Sequence, residues 1–287
     1  SDVCSSDLIE PVFRPPSEAR SLIFQITIGC SQNHCAFCGM YKMKRFRLKS
    51  ESEVMTEIDG IPARYRPAVD RVFLADGDAL VYPFDGLAAI LDRLAAVFPN
   101  LTRVGSYASP RSLTTKSVDE LRQLREKKLR ILYFGLESGD DATLAAVNKG
   151  FTAEEMVWEA CKAREAGMKL SVTAILGLAG RSRSLEHARA TAEWVNRVSP
   201  EYFSLLTLFH RHNDEFIRTL DQCTRRELLH EARELLVHLA PARTILRSNH
   251  VSNFLELAGS YPKDRERLIA EVDAALARLG RMPGFLD

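Results

Sequence analysis

The chain has 287 residues, 46% of them apolar and 27% charged, and a formal net charge of +1. That length and balance suit a globular chain of one large or two small domains. Lys plus Arg number 39 against 38 Asp plus Glu, so no global field draws nucleic acid or an anionic membrane. No apolar run reaches the length of a membrane span, and no signal peptide is recognisable. Six cysteines in a chain this long do not make a disulfide scaffold. A cytoplasmic location is expected.

The first eight residues, Ser1 to Leu8, look foreign. They can be back-translated into a string that resembles the end of a common sequencing adapter. They are expected to be a read artefact that carries Cys4 with it, or else a disordered tail.

From about residue 21 to residue 250, strand-like and helix-like segments alternate. Leu22 to Ile28 reads as a first strand and runs into a cysteine-bearing loop. A helix follows near 51–59. Arg71 to Ala75 is a second strand, ended by Asp76-Gly77-Asp78. Gly86 to Phe98 places Leu87, Ile90, Leu91, Leu94, Val97 and Phe98 at helical spacing. Thr102 to Ser106 is a third strand. Ser117 to Lys128 is a helix in which Ser117 and Glu120 form a capping-box pattern.

Leu129 to Phe134 is a fourth strand and leads into Gly135-Leu136-Glu137-Ser138-Gly139. Helices are expected at 141–147 and 152–166, the second capped by Thr152 and stopped at Gly167. Leu170 to Leu176 is a fifth strand, ending in Gly177-Leu178-Ala179-Gly180. Helix 184–198, strand 202–209, helix 224–239, a short strand at 244–247 and a charged helix at 263–279 complete the chain. Repeated strand–helix units predict a parallel α/β fold. An open doubly wound sheet and a barrel compete, and periodicity does not choose between them. In both, ligands bind at the loops after the strands. Those are the loops that carry Cys, Asp, Glu and Gly here.

The most informative run is Ile28-Gly29-Cys30-Ser31-Gln32-Asn33-His34-Cys35-Ala36-Phe37-Cys38-Gly39. Its spacing is C-x4-C-x2-C, directly after a strand. Three thiolates on one loop can hold an iron–sulfur cluster. A cubane held by three of them leaves one iron for a small-molecule ligand. Zinc is the rival, with Cys35 and Cys38 as a pair and His34 or Cys30 completing the set. Unrelated buried thiols are the bland reading.

These residues resemble the radical S-adenosylmethionine (radical SAM) enzymes. The usual spacing there is C-x3-C-x2-C, so this loop holds one extra residue. Leu74-Ala75-Asp76-Gly77-Asp78 stands where the family often carries Gly-Gly-Glu. Gly135-Leu136-Glu137-Ser138-Gly139 is similar to a Gly-x-Glu-Ser-Gly segment of the branch that includes the oxygen-independent coproporphyrinogen oxidases. The resemblance implies a partial (β/α)6 barrel of TIM type over residues 20–250, with a short helical C-terminal extension at 251–287. It implies a [4Fe–4S] cluster on Cys30, Cys35 and Cys38 and a bound S-adenosylmethionine. The cluster would cleave that cofactor reductively, and the 5′-deoxyadenosyl radical would take hydrogen from an unidentified small-molecule substrate.

The resemblance also implies contacts to S-adenosylmethionine. Phe37 and Gly39 lie on the cluster loop. Asp76, Gly77 and Asp78 would meet the amino group, and Ser109 and Arg111 follow the third strand. Glu137 and Ser138 would lie at the ribose, and Ile175 and Gly177 at the adenine. Turn chemistry, a solvated Arg and ordinary packing are the plain alternatives at these positions. The basic run Lys42, Lys44, Arg45, Arg47 and Lys49 reads first as a solvated face, and second as a dock for an acidic electron donor of flavodoxin or ferredoxin type. His210, Arg211 and His212, and the set Arg247, Asn249 and His250, are substrate-contact candidates. Cys161 is expected to be a buried small apolar residue, and Cys223 is isolated. A non-catalytic iron–sulfur or zinc protein and a porphyrin-handling protein are the alternative readings.

Overall fold

The computed structural model describes residues 8–280. The reading of the first eight residues therefore lies, Leu8 apart, outside the described residues. In chain order the elements begin with β1 (Leu22–Gln25), β2 (Thr27–Ile28), β3 (Arg47–Leu48), α1 (Glu51–Gly60), β4 (Arg71–Ala75), α2 (Phe84–Val97) and β5 (Arg103–Ala108). They continue with α3 (Pro110–Thr114), α4 (Val118–Glu126), β6 (Leu129–Glu137), α5 (Asp141–Ala146), α6 (Ala153–Glu165), β7 (Lys169–Leu176) and α7 (Ser184–Val198). The last are β8 (Tyr202–Thr207), α8 (Asp214–Thr219), α9 (Arg225–His238), β9 (Thr244–Arg247), β10 (Ala258–Tyr261) and α10 (Arg265–Gly280).

The eight longer strands form one sheet in the order β1-β4-β5-β6-β7-β8-β9-β10, and β2 pairs with β3 in a separate ribbon. A doubly wound sheet reverses its order at a switch point, whereas a barrel adds each strand to the same side of the last. This order never reverses, so the fold is of partial-barrel type. The short strand at 244–247 is present as β9, and β10, which sequence reading missed, adds to it antiparallel.

The contacts group the described residues into two compact units. The first takes residues up to 33, 40–134 and 159–170. Within it β1, β4 and β5 are parallel, and β6 pairs parallel to β5. Phe24, Val72, Phe73, Leu74, Ile90, Leu94 and Phe98 are fully buried, as the apolar run of a strand covered on both faces requires. Local chemistry sets the helix starts: Ser50, Ser109 and Ser117 each close a capping box, and α2 starts after Pro83.

The second unit takes residues 34–39, 135–158 and those from 171 on. Here β7 pairs parallel with β8 from Ser171↔Tyr202 to Leu176↔Thr207, and β8 pairs parallel with β9. Helix α9, capped by Thr224, packs against both α7 and α10. Val195, Leu235, Leu236, Leu268 and Val272 are buried along those helices. No helix among the described residues is long and apolar enough to cross a membrane.

Two expectations need correction. Cys161 is exposed on α6 and is not a core residue; a small apolar side chain in an amphipathic helix fits either face. The basic run is not one solvated face. Lys44 and Lys49 are buried, while Lys42, Arg45 and Arg47 are exposed.

Candidate active site

In the first unit, β1 is followed by the short β2, which hands the chain to the cysteine loop at Gly29 and Cys30. The loop after β4 is built around two buried carboxylates, Asp76 and Asp78, both 0% exposed. Asp76 Oδ2 accepts from the Gln25 amide at 3.0 Å, the Gly29 N–H at 2.9 Å and Lys44 Nζ at 2.9 Å. Lys44 also donates to the carbonyls of Ile9 and Pro11. Its ammonium is thus satisfied inside the protein, as a buried charge must be. Asp76 Oδ1 has no hydrogen-bond partner among the described residues.

Asp78 accepts from the Ser31 hydroxyl, from the Ser109 N–H at 2.9 Å and from the Ser109 hydroxyl at 2.7 Å. Burial pushes its carboxyl up, and the donors of Ser31, Ser109 and Ser112 pull the other way. Both carboxylates turn inward and brace the loops on either side. Ser109 braces Asp78 and caps α3, while Arg111 is exposed. Between the two carboxylates, Gly77 is closely packed, and its N–H donates to the Gly29 carbonyl at 3.1 Å. A Cβ there would stand 2.5 Å from the Tyr41 ring and 3.1 Å from Cys30 Cβ.

In the second unit, Cys35 is buried and Cys38 partly exposed, and the Cys38 N–H lies 3.3 Å from the Cys35 carbonyl. Phe37 packs on Val147, Ile175 and Leu178. The cysteine loop is also pinned by groups that sequence reading did not single out. Ala36 N–H donates to the Val147 carbonyl at 2.9 Å, and the Asn213 amide donates to the Phe37 carbonyl at 2.8 Å. The loop after β8 presses on Gly39, where a Cβ would come within 1.6 Å of the Arg211 carbonyl oxygen. Only glycine fits there. The structure thus brings Arg211 and His212 to the cysteine loop.

Glu137 ends β6 at a φ of 66°. Its carboxylate pairs with Lys149 at 3.1 Å, and the two side chains are 14% and 6% exposed. Ser138 is buried and bonds His187 Nδ1 at 2.7 Å. Gly177 ends β7 at a φ of 80°, and its N–H donates to Glu231 at 2.8 Å. A small cleft of about 40 Å³ lies beyond β7 and β8, lined among others by Gly177, Thr207, His210, Gln222 and Cys223. Burial first, and then the Glu231 carboxylate, pushes the Cys223 thiol up to about 11, so it is a protonated lining group.

Among the described residues, no three His, Cys, Asp or Glu side chains converge as ligands of a single metal ion do. Cluster ligands need no such convergence, because each thiolate takes a different iron. The donor set of the loop is three thiols, and beside Cys30 the Tyr41 ring packs so close to Gly77 that no side chain has room there. That donor set fits a thiolate-held cluster.

A Radical SAM superfamily family model matches residues 24–195. The chain belongs to the radical SAM superfamily. With that membership come a [4Fe–4S] cluster and S-adenosylmethionine as cofactors. Over 147 residues the chain is 29% identical to the tRNA-2-methylthio-N(6)-dimethylallyladenosine synthase of Dehalococcoides mccartyi, covering 50% of this chain and 34% of that one. It therefore spans about a third of the curated relatives it matches. Among solved structures, coproporphyrinogen III oxidase (HemN) from Escherichia coli aligns with a TM-score of 0.57 at 18% identity, over 76% of this chain and 51% of that one. Methylornithine synthase (PylB) aligns with a TM-score of 0.52 at 14% identity, over 91% and 82%. At such identities these structures speak for the fold alone.

Proposed function

We propose that Cys30, Cys35 and Cys38 hold the cluster and that the loops after β4, β6 and β7 supply the contacts to S-adenosylmethionine. The observation that carries this reading is that the matched family segment, 24–195, contains the three-cysteine loop and each of those strand-end loops. Bound there, the cluster would supply the one electron for reductive cleavage of S-adenosylmethionine, and hydrogen would be taken from a small-molecule substrate.

The chain's own residues bind and orient. Gly77 lets backbone approach the amino group, while Asp76 and Asp78, turned inward, keep that backbone in place. Glu137 accepts hydroxyl hydrogens, as a carboxylate can from a diol, and Lys149 fixes its direction. Ile175 and Phe37 supply an apolar wall for the adenine. The loop after β8, which carries His210, Arg211 and His212, supplies substrate contacts. The exposed cations Lys42, Arg45 and Arg47 meet an acidic electron donor.

Anaerobic reconstitution with iron and sulfide, followed by S-adenosylmethionine and dithionite, tests the reading. It expects 5′-deoxyadenosine. A protein that holds a full cluster yet forms none is a non-catalytic iron–sulfur protein, and the reading fails.

A further inference from the structure

Two ionisable side chains lie buried behind the strand ends of the second unit, and the site described above does not use them. His187, on α7, and Glu231, on α9, are both 0% exposed. They sit in one continuous line of contacts. The Asp140 N–H donates to the Ser138 hydroxyl oxygen at 2.9 Å. The hydroxyl hydrogen is then directed to His187 Nδ1, 2.7 Å away. With the Ser138 hydroxyl as donor, the imidazole hydrogen is on Nε2, which stands 3.5 Å from Glu231 Oε1 and makes no hydrogen bond among the described residues. Glu231 Oε1 accepts the Gly177 N–H at 2.8 Å, and the Ser184 hydroxyl bonds its other oxygen.

The line begins at the turn after β6 and ends at the turn after β7. Helix α7 is held close to the first turn. A Cβ on Gly139 would stand 2.3 Å from the Ala190 carbonyl oxygen, and the Gly139 N–H donates to the Thr191 hydroxyl at 3.0 Å. Burial lowers the His187 imidazole to about 4, against the pull of Asp140 and the Ile175 backbone. Burial likewise raises the Glu231 carboxyl to about 7. The imidazole is therefore neutral, and the 3.5 Å contact is not an ion pair. Burying two such groups costs stability unless their hydrogen bonds are used. Here the bonds that are made go to two strand-end turns, to the Ser138 hydroxyl at one and to the Gly177 N–H at the other.

We propose that His187 and Glu231 are positioning residues for the adenosyl half of S-adenosylmethionine, fixing the backbone at Ser138 and Gly177 from behind. The proposal rests on the cofactor reading above. Neither side chain touches the cofactor; each acts through the turn it holds.

Four variants separate this role from simple packing. Asn in place of His187 puts an amide near the Nδ1 position and keeps the Ser138 bond. Gln in its place reaches toward Glu231 and loses Ser138. Glu231→Gln keeps an acceptor for Gly177, and Glu231→Leu removes it. Each anaerobically reconstituted variant is measured for iron content and for equilibrium binding of S-adenosylmethionine and of methionine, which lacks the adenosyl group. His187→Gln and Glu231→Leu should weaken S-adenosylmethionine about tenfold or more, as the loss of a buried hydrogen bond does. Iron content and methionine affinity should stay near wild type, and His187→Asn and Glu231→Gln should recover most of the loss. Ser138→Ala cuts the same line from its other end and should match His187→Gln, which keeps the test sharp if that variant folds poorly.

Wild-type affinity in His187→Gln and Glu231→Leu overturns the proposal. So does a parallel loss of both ligands that simply follows thermal stability. Wild-type protein that binds a cluster but neither ligand removes the cofactor reading beneath it, and the proposal with it.

Discussion

Lys44 is the buried counter-ion of Asp76: Nζ lies 2.9 Å from Oδ2, with the side chains 4% and 0% exposed. The pair ties the segment between the cysteine loop and β3 to the loop after β4. The Gln25 amide and the Gly29 N–H converge on the same oxygen. Lys44→Met should leave that carboxylate buried without its cation and cost about 3–5 kcal/mol. Chemical unfolding of the cluster-free protein reads this directly. A loss below about 1 kcal/mol would show that the pair is dispensable.

Glu137 and Lys149 make a second, less buried pair. Glu137→Ala should weaken S-adenosylmethionine binding about ten- to a hundredfold, the worth of one charge-assisted hydrogen bond in a partly buried site. Iron content should not change, and Glu137→Gln should fall between. Calorimetric titration of the reconstituted proteins checks it. Wild-type affinity in the Ala variant would take Glu137 out of the cofactor site.

The buried His187 and Glu231 make opposite contributions to pH-dependent stability. A carboxyl raised from 4.5 to about 7 binds its proton more tightly when folded. Its stability contribution is present below pH 4.5 and lost as pH rises through 7. An imidazole lowered from 6.5 to about 4 binds its proton less tightly when folded. Its contribution is present above pH 6.5 and lost as pH falls through 4. Each amounts to about 3 kcal/mol at its limit, and from pH 4.5 to 6.5 the two slopes cancel. The neighbours hold their charge there. Asp140, though partly buried, is kept below the usual carboxylate range by Thr143 and Arg183, and Cys223 stays protonated. Relative to wild type, Glu231→Gln should gain stability from pH 4.5 to 6.5, and His187→Asn should lose it. Urea unfolding at pH 5 and pH 6.5 decides, and equal slopes in all three proteins would contradict the assignment.

The exposed cations near the cysteine loop are Lys42, Arg45 and Arg47, with Met43 and Leu48 exposed among them. Reversing Lys42 and Arg45 to Glu should slow turnover driven by a flavodoxin and leave dithionite-driven cleavage unchanged. The wild-type rate with flavodoxin should fall with salt, since charges reach only about 8 Å at physiological ionic strength. Equal rates with both electron sources in the variant would make the run plain surface.

Much of this was legible in the sequence because it is local. Capping boxes such as Ser117 with Glu120 span one turn, and the C-x4-C-x2-C loop is contained in nine residues. The Gly-x-Glu-Ser-Gly run is contiguous, although the left-handed residue at its turn is Glu137 and not a glycine. What was not legible depends on partners far along the chain. Lys44 reads as one charge in a basic run until Asp76, 32 residues on, takes it inside. His187 and Glu231 sit on amphipathic helices, and only the approach of β6 and β7 gives their burial a purpose. Cys161 shows the reverse error, since a small side chain on a helix does not declare its face. Strand order, which separates a barrel from a doubly wound sheet, is a property of pairing that no single strand encodes.

The central claim is that Cys30, Cys35 and Cys38 together hold the cluster at which S-adenosylmethionine is cleaved. The direct test is iron and sulfide content, with 5′-deoxyadenosine formation, in the wild type and in five single Cys→Ala variants reconstituted without oxygen. The account predicts about one four-iron cluster in the wild type, in Cys161→Ala and in Cys223→Ala. It predicts loss of both cluster and 5′-deoxyadenosine in Cys30→Ala, Cys35→Ala and Cys38→Ala. A full cluster and undiminished 5′-deoxyadenosine in any of those three would contradict it.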